Sequence, residues 1–194
     1  MNELFSLWER FYPRLRRVTS DTERFLLFIA WLNKFLEQKG LGRIVIVGGF
    51  AVELYTGSTY RTLDVDIIVE GDKALSIVKS FLKQLSSEGT SRVYLIPIEF
   101  LASKAIDIVG NMYVSRKNTV RINVDEYHVY VEPPEELLVK YLVAWKFWKS
   151  EEDRDKVIIL AKTLIDKLDI DYIRQRAKQE GVEDLLNTVL DMVR

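Results

Sequence analysis

Two aspartates interrupt an otherwise apolar segment near the middle of the chain. Residues 62–69 read TLDVDIIV, a composition typical of a buried strand. In a strand, residues i and i+2 lie on one face with Cα atoms about 6.6–6.8 Å apart, so Asp64 and Asp66 share a face. Two carboxylates within about 5 Å of each other repel by roughly 3 kcal/mol at an effective dielectric constant near 20. The pair therefore indicates either a solvated strand end or a site for a cation.

A magnesium site would suit two neighbouring carboxylates. Mg²⁺ prefers oxygen ligands, keeps several waters, and is commonly held by one or two carboxylates together with substrate phosphates. A further acid is Asp107, the charged residue within the apolar run AIDIV at 105–109. If that run pairs as a strand beside residues 62–69, three carboxylates come together on one side of the sheet. Each acid by itself is also compatible with a structural or strand-end role.

Two adjacent glycines close the apolar run that precedes the aspartates. Gly48 and Gly49 follow RIVIV at 43–47 and lead into a short helical pattern at 50–55. A strand that ends in glycines before a helix presents backbone N–H groups and the positive helix end to an anion. The turn therefore predicts a phosphate-binding position, with a tight strand-to-helix turn as the structural alternative.

The residue types that the chain lacks exclude several other chemistries. The 194 residues include no cysteine and one histidine, so thiolate and histidine-pair metal sites are excluded. A serine–histidine–acid triad would depend on His128, whose alternating neighbours predict a strand surface. The net charge of −1 gives no overall attraction to nucleic acid. A local basic cluster (Arg14, Arg16, Arg17) is interpreted as a solvated helix face.

Helical patterns flank a central region of strand patterns. Residues 1–39 predict two helices, the second opened by a capping box from Ser20 to Glu23. Strands are predicted at 43–47, 62–69, 92–96, 105–109, 112–115 and 119–131, with a helix from Asp72 to a polar cluster at 86–89. This order predicts an α/β (α+β) fold with a mixed sheet that carries helices on one side.

The C-terminal part returns to helical periodicity at Pro134. A second capping pattern, Ser150 with Asp153, opens another helix, and two shorter helices are predicted after residue 168. The first of these helices has an apolar stripe that predicts core packing (Leu137, Leu138, Tyr141, Leu142, Trp145, Trp148). We therefore divide the chain into N-terminal helices at 1–42, a core at 43–132 and a C-terminal helical region at 133–194.

The combination of these motifs resembles the nucleotidyltransferase superfamily of DNA polymerase beta. In that pattern, two glycines precede an Asp-x-Asp strand, and a third acid lies on a later strand. Arg61 and Thr62, just before the acids, make the chain most similar to the branch that contains the abortive-infection type toxins, and CCA-adding enzymes have a comparable layout. The likeness covers residues 43–110 and implies a nucleotidyltransferase core.

A weaker likeness to the toxin branch continues into the helical region. Lys140 matches a lysine on the helix after the sheet, and Asp155 matches an acid further along the chain. Lys156 follows Asp155 here, whereas the toxin pattern places the basic residue first.

The resemblance implies a magnesium-dependent enzyme that moves a nucleoside monophosphate from a nucleoside triphosphate to an acceptor hydroxyl and releases pyrophosphate. Two Mg²⁺ or Mn²⁺ ions would be held by Asp64, Asp66 and Asp107, and Asp107 would also assist deprotonation of the hydroxyl. The nucleotide would be bound by Gly48, Gly49, Arg61, Thr62 and Lys140.

The acceptor and the partners stay open at this level. An RNA or tRNA end, a protein hydroxyl and a small molecule all fit the motif. One alternative is a non-catalytic protein of the same fold, either a nucleotide- or RNA-binding module or a partner in a toxin–antitoxin-like pair. Another alternative is a purely structural α/β domain. The longest apolar run, at 25–32, is shorter than the ~20 residues of a membrane span, so we expect a cytoplasmic protein with no membrane partner.

Overall fold

The computed structural model describes residues 2–86, 88–89, 92–98 and 101–193. Within these ranges the chain forms eight helices and seven strands. In chain order they are α1 (Asn2–Leu15), α2 (Asp21–Gln38), β1 (Arg43–Ile46), α3 (Gly48–Tyr55), β2 (Asp64–Glu70), α4 (Asp72–Leu85), β3 (Glu88–Gly89), β4 (Val93–Leu95), β5 (Ala105–Gly110), β6 (Val120–Val124), β7 (Tyr127–Val131), α5 (Pro134–Trp148), α6 (Glu151–Leu164), α7 (Ile170–Gln179) and α8 (Glu183–Val193).

The strands form one mixed sheet in the order β3-β4-β5-β2-β1-β7-β6. Strand β2 pairs in parallel with β5 and antiparallel with β1, and β1 pairs in parallel with β7. The outer pairs are antiparallel. Central β2 turns Val65, Ile67 and Val69 into the core, where all three are fully buried. The predicted α/β fold with a mixed sheet is confirmed.

The chain divides into two compact units made of non-consecutive segments. The first contains residues 1–50, 62–114 and 119–131, which hold the whole sheet with α1, α2 and α4. The second contains residues 51–61, 115–118 and 132–194, which hold α5 to α8 and the end of α3. The sequence predicts three consecutive regions with boundaries at residues 42 and 132, whereas these two units combine segments that are distant along the chain. The N-terminal helices join the sheet because α2 packs on β1 and β7.

Helix α2 is capped and buried as its pattern predicts. The Ser20 hydroxyl accepts a hydrogen bond from the Glu23 amide at 3.4 Å, which satisfies one of the amides that a helix start leaves unpaired. Phe25, Phe28 and Leu32 are fully buried on this helix. None of the helices within the described ranges combines the length and apolar character needed to cross a membrane.

A buried asparagine joins α2 to two strands. Asn33 is fully buried; its Oδ1 accepts from the Ile44 amide of β1 at 2.7 Å, and its Nδ2 donates to the His128 carbonyl of β7 at 3.1 Å. The His128 ring lies on the same strand, with Nε2 2.6 Å from Glu37 Oε2. The single histidine therefore belongs to a strand-to-helix contact in the first unit.

Two strand predictions and one helix-end prediction differ from the structure. Residues 112–115 form no strand, because the Tyr113 amide donates to the Glu70 side chain at 3.1 Å instead of to a strand partner. Residues 119–131 form a hairpin of two strands, with Asp125 at φ 52° in its turn. The polar cluster at 86–89 contains the short strand β3, although its composition indicates only a helix end.

The basic cluster near the end of α1 also differs in part from its prediction. Arg16 and Arg17 are exposed, as expected. Arg14 instead binds the β6–β7 turn, where it donates to Asp125 Oδ2 at 2.7 Å and to both carboxylate oxygens of Glu126. The Arg14 hydrogen bonds lower the pKa of Glu126 to about 2. Arg14 therefore binds the turn of the β6–β7 hairpin, whereas the sequence predicted a solvated helix face for it.

The second unit is built around α5, which contacts α6, α7 and α8. Its stripe is buried at Leu137, Leu138 and Leu142. The core prediction is wrong for Trp148, which is 78% exposed, because α5 ends there and Lys149 turns the chain with φ 57°. Ser150 then caps α6, as predicted, by accepting from the Asp153 amide at 3.3 Å.

The Asn33 contacts predict a large stability effect. Asn33→Ala should lower the free energy of unfolding by about 2 kcal/mol, because the buried Ile44 amide and His128 carbonyl both lose their partner. Urea unfolding followed by circular dichroism measures this change. Asn187→Ala, at an exposed position of helix α8, is the matched control and should stay within about 0.5 kcal/mol of wild type. Equal effects of the two substitutions would contradict the role given to Asn33.

Candidate active site

The pairing of β2 with β5 brings the predicted acids together. The two strands run parallel, with Asp64 opposite Ala105 and Asp66 opposite Asp107. Directly opposed residues on neighbouring strands lie on the same face, and i and i+2 do so along one strand. Asp64, Asp66 and Asp107 therefore share one face of the sheet. The strand pairing on which the sequence prediction depended is present.

Gly48 lies against the carboxylate of Asp66. The Asp66 carbonyl accepts from the Val47 amide at 3.0 Å, which holds the end of β1 to β2. Gly48 follows with φ +64°, and a Cβ atom added there would lie 2.1 Å from Asp66 Oδ2. Glycine is required twice, for its backbone conformation and for this approach. Helix α3 begins at Gly48 and continues through Gly49, so the Asp66 carboxylate lies at the start of a helix, which favours negative charge.

Asp107 is the most buried of the three acids. It is 9% exposed, and its Oδ2 accepts from Arg92 Nη2 at 2.8 Å. Its Oδ1 is buried and has no hydrogen-bond partner among the described residues. Arg92 lies at the start of β4, where its carbonyl accepts from the Ile108 amide at 3.0 Å. Sequence reasoning missed Arg92, because its position gives no local signal of an acid across the sheet.

A buried lysine supports the start of β2. Lys104 is 3% exposed; its Nζ donates to the Thr62 carbonyl and lies 5.7 Å from the centre of the Phe50 ring. The Thr62 hydroxyl accepts from the Asp64 amide at 3.3 Å, and the Asp64 side chain is exposed. Thr62 therefore shapes the turn that presents Asp64. A lysine next to the apolar run AIDIV was the available signal for Lys104.

The two predicted phosphate-binding cations belong to the second unit and have acidic neighbours there. Arg61 Nε lies 3.7 Å from Oε1 of Glu53, which is fully buried. Lys140 Nζ lies 3.5 Å from Oε2 of Glu132, and the Lys140 side chain is about half exposed. Their roles toward a nucleotide stay predictions.

Asp155 and Lys156, the acid and the base compared with the toxin pattern, differ in exposure on α6. Asp155 is exposed beside Arg154. Lys156 is buried, with Nζ 2.9 Å from both Glu152 Oε1 and Asp153 Oδ1. The Tyr60 hydroxyl donates to Glu152 at 3.1 Å, and burial raises the pKa of Tyr60 to about 12. This cluster holds Tyr60 to α6, so Lys156 has a structural role here.

The acids on β2 and β5 fit a divalent cation by chemistry but do not form a closed cage. Among the residues that the structure describes, no three Asp, Glu, His or Cys side chains are arranged to hold a metal ion. Mg²⁺ commonly takes one or two carboxylates and completes its shell with waters and substrate phosphates. Asp64 and Asp66 offer that minimal set, and Oδ1 of Asp107, which has no hydrogen-bond partner in the described part of the chain, offers another oxygen. The metal-binding roles of the three acids stay predictions.

Comparison with protein families identifies the chain. A family model described as "Nucleotidyltransferase of unknown function (DUF6036)" matches residues 23–189, a range that includes every predicted site residue. The chain belongs to this family. The predicted membership of the nucleotidyltransferase superfamily is therefore confirmed, whereas the abortive-infection branch stays a prediction. No curated protein matches the DUF6036 chain in sequence.

Two solved structures align with the DUF6036 chain. An antigenic nucleotidyltransferase-like protein from Paracoccidioides brasiliensis aligns with a TM-score of 0.57 and 17% identity, over 89% of this chain and 93% of that chain. The antibiotic-resistance factor ANT(2'')-Ia aligns with a TM-score of 0.49 and 12% identity, over 84% of this chain and 97% of that one. The first of these likenesses supports the nucleotidyltransferase fold.

Two glycines with nearly equal positive φ angles test the Gly48–Asp66 approach. Gly40 has φ +61° and no atom within 4 Å of an added Cβ, whereas Gly48 has φ +64° and Asp66 Oδ2 at 2.1 Å. Gly40→Ala should cost about 1–2 kcal/mol of unfolding free energy from backbone strain. Gly48→Ala should cost about 1–3 kcal/mol more, because the Asp66 carboxylate must move. Chemical denaturation of both variants checks the difference, and equal costs would contradict the close approach.

Proposed function

We propose that the protein is a Mg²⁺-dependent nucleotidyltransferase that transfers a nucleoside monophosphate from a nucleoside triphosphate to an acceptor hydroxyl. The observation that carries this proposal is the in-register pairing of Asp66 with Asp107, next to the Gly48 turn. Family membership supports the reaction class. The chemistry needs charge neutralisation and alignment more than a histidine or cysteine nucleophile, which agrees with a chain that has one histidine and no cysteine.

The reaction transfers the nucleoside monophosphate by exchanging one bond at the α-phosphorus for another. The acceptor oxygen forms a bond to the α-phosphorus, the bond from that phosphorus to the bridging oxygen of the β-phosphate breaks, and pyrophosphate leaves. The hydroxyl proton passes to a base. Asp107 is the group for this step, because its buried Oδ1 has no other hydrogen-bond partner among the described residues.

The remaining residues bind and orient the nucleotide. Asp64 and Asp66 would hold divalent cations, which would supply positive charge to the phosphates. The backbone at Gly48 and Gly49 allows close approach of the triphosphate to the start of α3. Thr62 fixes the turn before Asp64 through its hydrogen bond to the Asp64 amide.

The acceptor is proposed only as a hydroxyl. An RNA or tRNA end, a protein side chain and a small molecule are the classes to compare. The resemblance at Arg61 and Thr62 also supports a role for the protein as one member of a toxin–antitoxin-like pair. In that setting the partner would be an antitoxin-like protein.

Label transfer tests the activity. We expect wild-type protein with Mg²⁺ to transfer label from α-³²P nucleoside triphosphates to total RNA, to the protein itself or to a small hydroxyl compound. Asp66→Asn should lower the transfer by about 100-fold or more, because the variant loses a charged metal ligand at the reacting phosphate. Chelation of Mg²⁺ with EDTA should abolish the transfer.

A matched control separates the site from a general charge effect. Asp72→Asn removes an exposed acid in the same unit, just after β2, and should leave label transfer within about twofold of wild type. Nucleotide binding without transfer to any acceptor would favour the non-catalytic binding module. Equal loss in both variants would contradict the assignment of Asp66.

A further inference from the structure

The two opposed carboxylates on β2 and β5 need a positive charge near them. Asp66 and Asp107 are directly paired across the sheet, and Asp107 is buried. A buried carboxylate without a partner is costly, so buried charges are paired or bind metals. In the structure the partner is Arg92, whose Nη2 lies 2.8 Å from Asp107 Oδ2.

The Arg92–Asp107 pair is asymmetric in exposure. The Arg92 side chain is 60% exposed, whereas the Asp107 side chain is 13% exposed. Arg92 can therefore leave the pair and remain hydrated, while Asp107 must exchange one cation for another. The pair also engages one oxygen of the carboxylate, while the other oxygen stays without a hydrogen-bond partner among the described residues.

The ion pair lies at one member of an open arrangement of acids. The three carboxylates share a face, yet no group of three acids or histidines in the described part of the chain can hold a metal as it stands. Arg92 binds Oδ2 of Asp107, so a cation coordinated by both oxygens of this carboxylate must displace the guanidinium. The guanidinium thus supplies the positive charge that a bound cation would otherwise supply to this carboxylate.

We infer that Arg92 is a positioning residue that competes with the divalent cation for Asp107, so that Asp107 joins the metal site only when Arg92 releases it. This inference rests on the proposed function, since it assumes that Asp64 and Asp66 bind the cation. It adds to that function a residue outside the acidic motif. Arg92 neutralises Asp107 in the cation-free site and raises the cation concentration needed to fill the site.

Metal binding measured without turnover tests this competition. Isothermal titration of the full chain with Mn²⁺ compares wild type, Arg92→Gln, Asp107→Asn and the double variant. Arg92→Gln should tighten Mn²⁺ binding by about fivefold, because Asp107 no longer has to be taken from a guanidinium. In the Asp107→Asn background the same substitution should change affinity by less than about twofold.

The double-mutant comparison separates competition from a through-space charge effect. If the lost positive charge acted only at a distance, Arg92→Gln would tighten binding equally in both backgrounds, and the inference would be overturned. Unchanged or weaker binding in Arg92→Gln would overturn it too. Arg92→Lys, which keeps the charge, should bind Mn²⁺ with an affinity closer to wild type than to Arg92→Gln.

A second measurement uses the wild-type protein alone. The Arg92 side-chain Nε–H resonance, assigned by its absence in Arg92→Lys, should shift during titration with diamagnetic Mg²⁺ and saturate with the same affinity as the calorimetric site. A resonance that does not respond at saturation would contradict release of Asp107. If wild-type protein binds no Mn²⁺, or if Asp66→Asn does not abolish the binding, the proposed function and this inference are both overturned. Binding that Asp66→Asn abolishes, but that shows no coupling between Arg92 and Asp107, would overturn only the inference.

Discussion

The parallel, in-register pairing of β2 with β5 is the constraint on which the candidate site depends. It places Asp66 opposite Asp107, at a repulsion of roughly 3 kcal/mol for carboxylates about 5 Å apart. The same two strands bury Val65, Ile67 and Ile106 completely. Full burial of each such side chain contributes about 1.5–3 kcal/mol, so the apolar face outweighs the charged one. The acids can therefore be kept together at the cost of local stability.

The surrounding residues each manage a consequence of that pairing. Arg92 neutralises Asp107, and Gly48 leaves room for the Asp66 carboxylate at the start of α3. Lys104 holds the Thr62 carbonyl from within the core, which fixes the turn before Asp64. These contacts come from four separate segments of the chain. The candidate site is thus formed by the sheet and the segments at its edges. All of these segments lie within the range that matches the nucleotidyltransferase family.

The second unit shows how the same residue types act structurally. Lys156 is buried between two acids and beside Tyr60, where the rings and carboxylates replace its hydration. Arg61 and Lys140 each lie near a buried glutamate. A lysine or arginine in a family motif can therefore serve the fold, a ligand or both. The difference is decided by the neighbour that the tertiary structure supplies.

The sequence by itself determined the features that act over two to four residues. These include the strand alternation around Asp64 and Asp66, the glycine turn, and the helix caps at Ser20 and Ser150, because each depends on neighbours close along the chain. Tertiary structure decided that Asp107 meets Asp66 and that Arg92 meets Asp107. It also decided that residues 112–115 form no strand, that 119–131 fold back as a hairpin, and that one tryptophan of α5 is exposed. Such outcomes depend on which distant segments pack together, and local spacing carries no information about that choice.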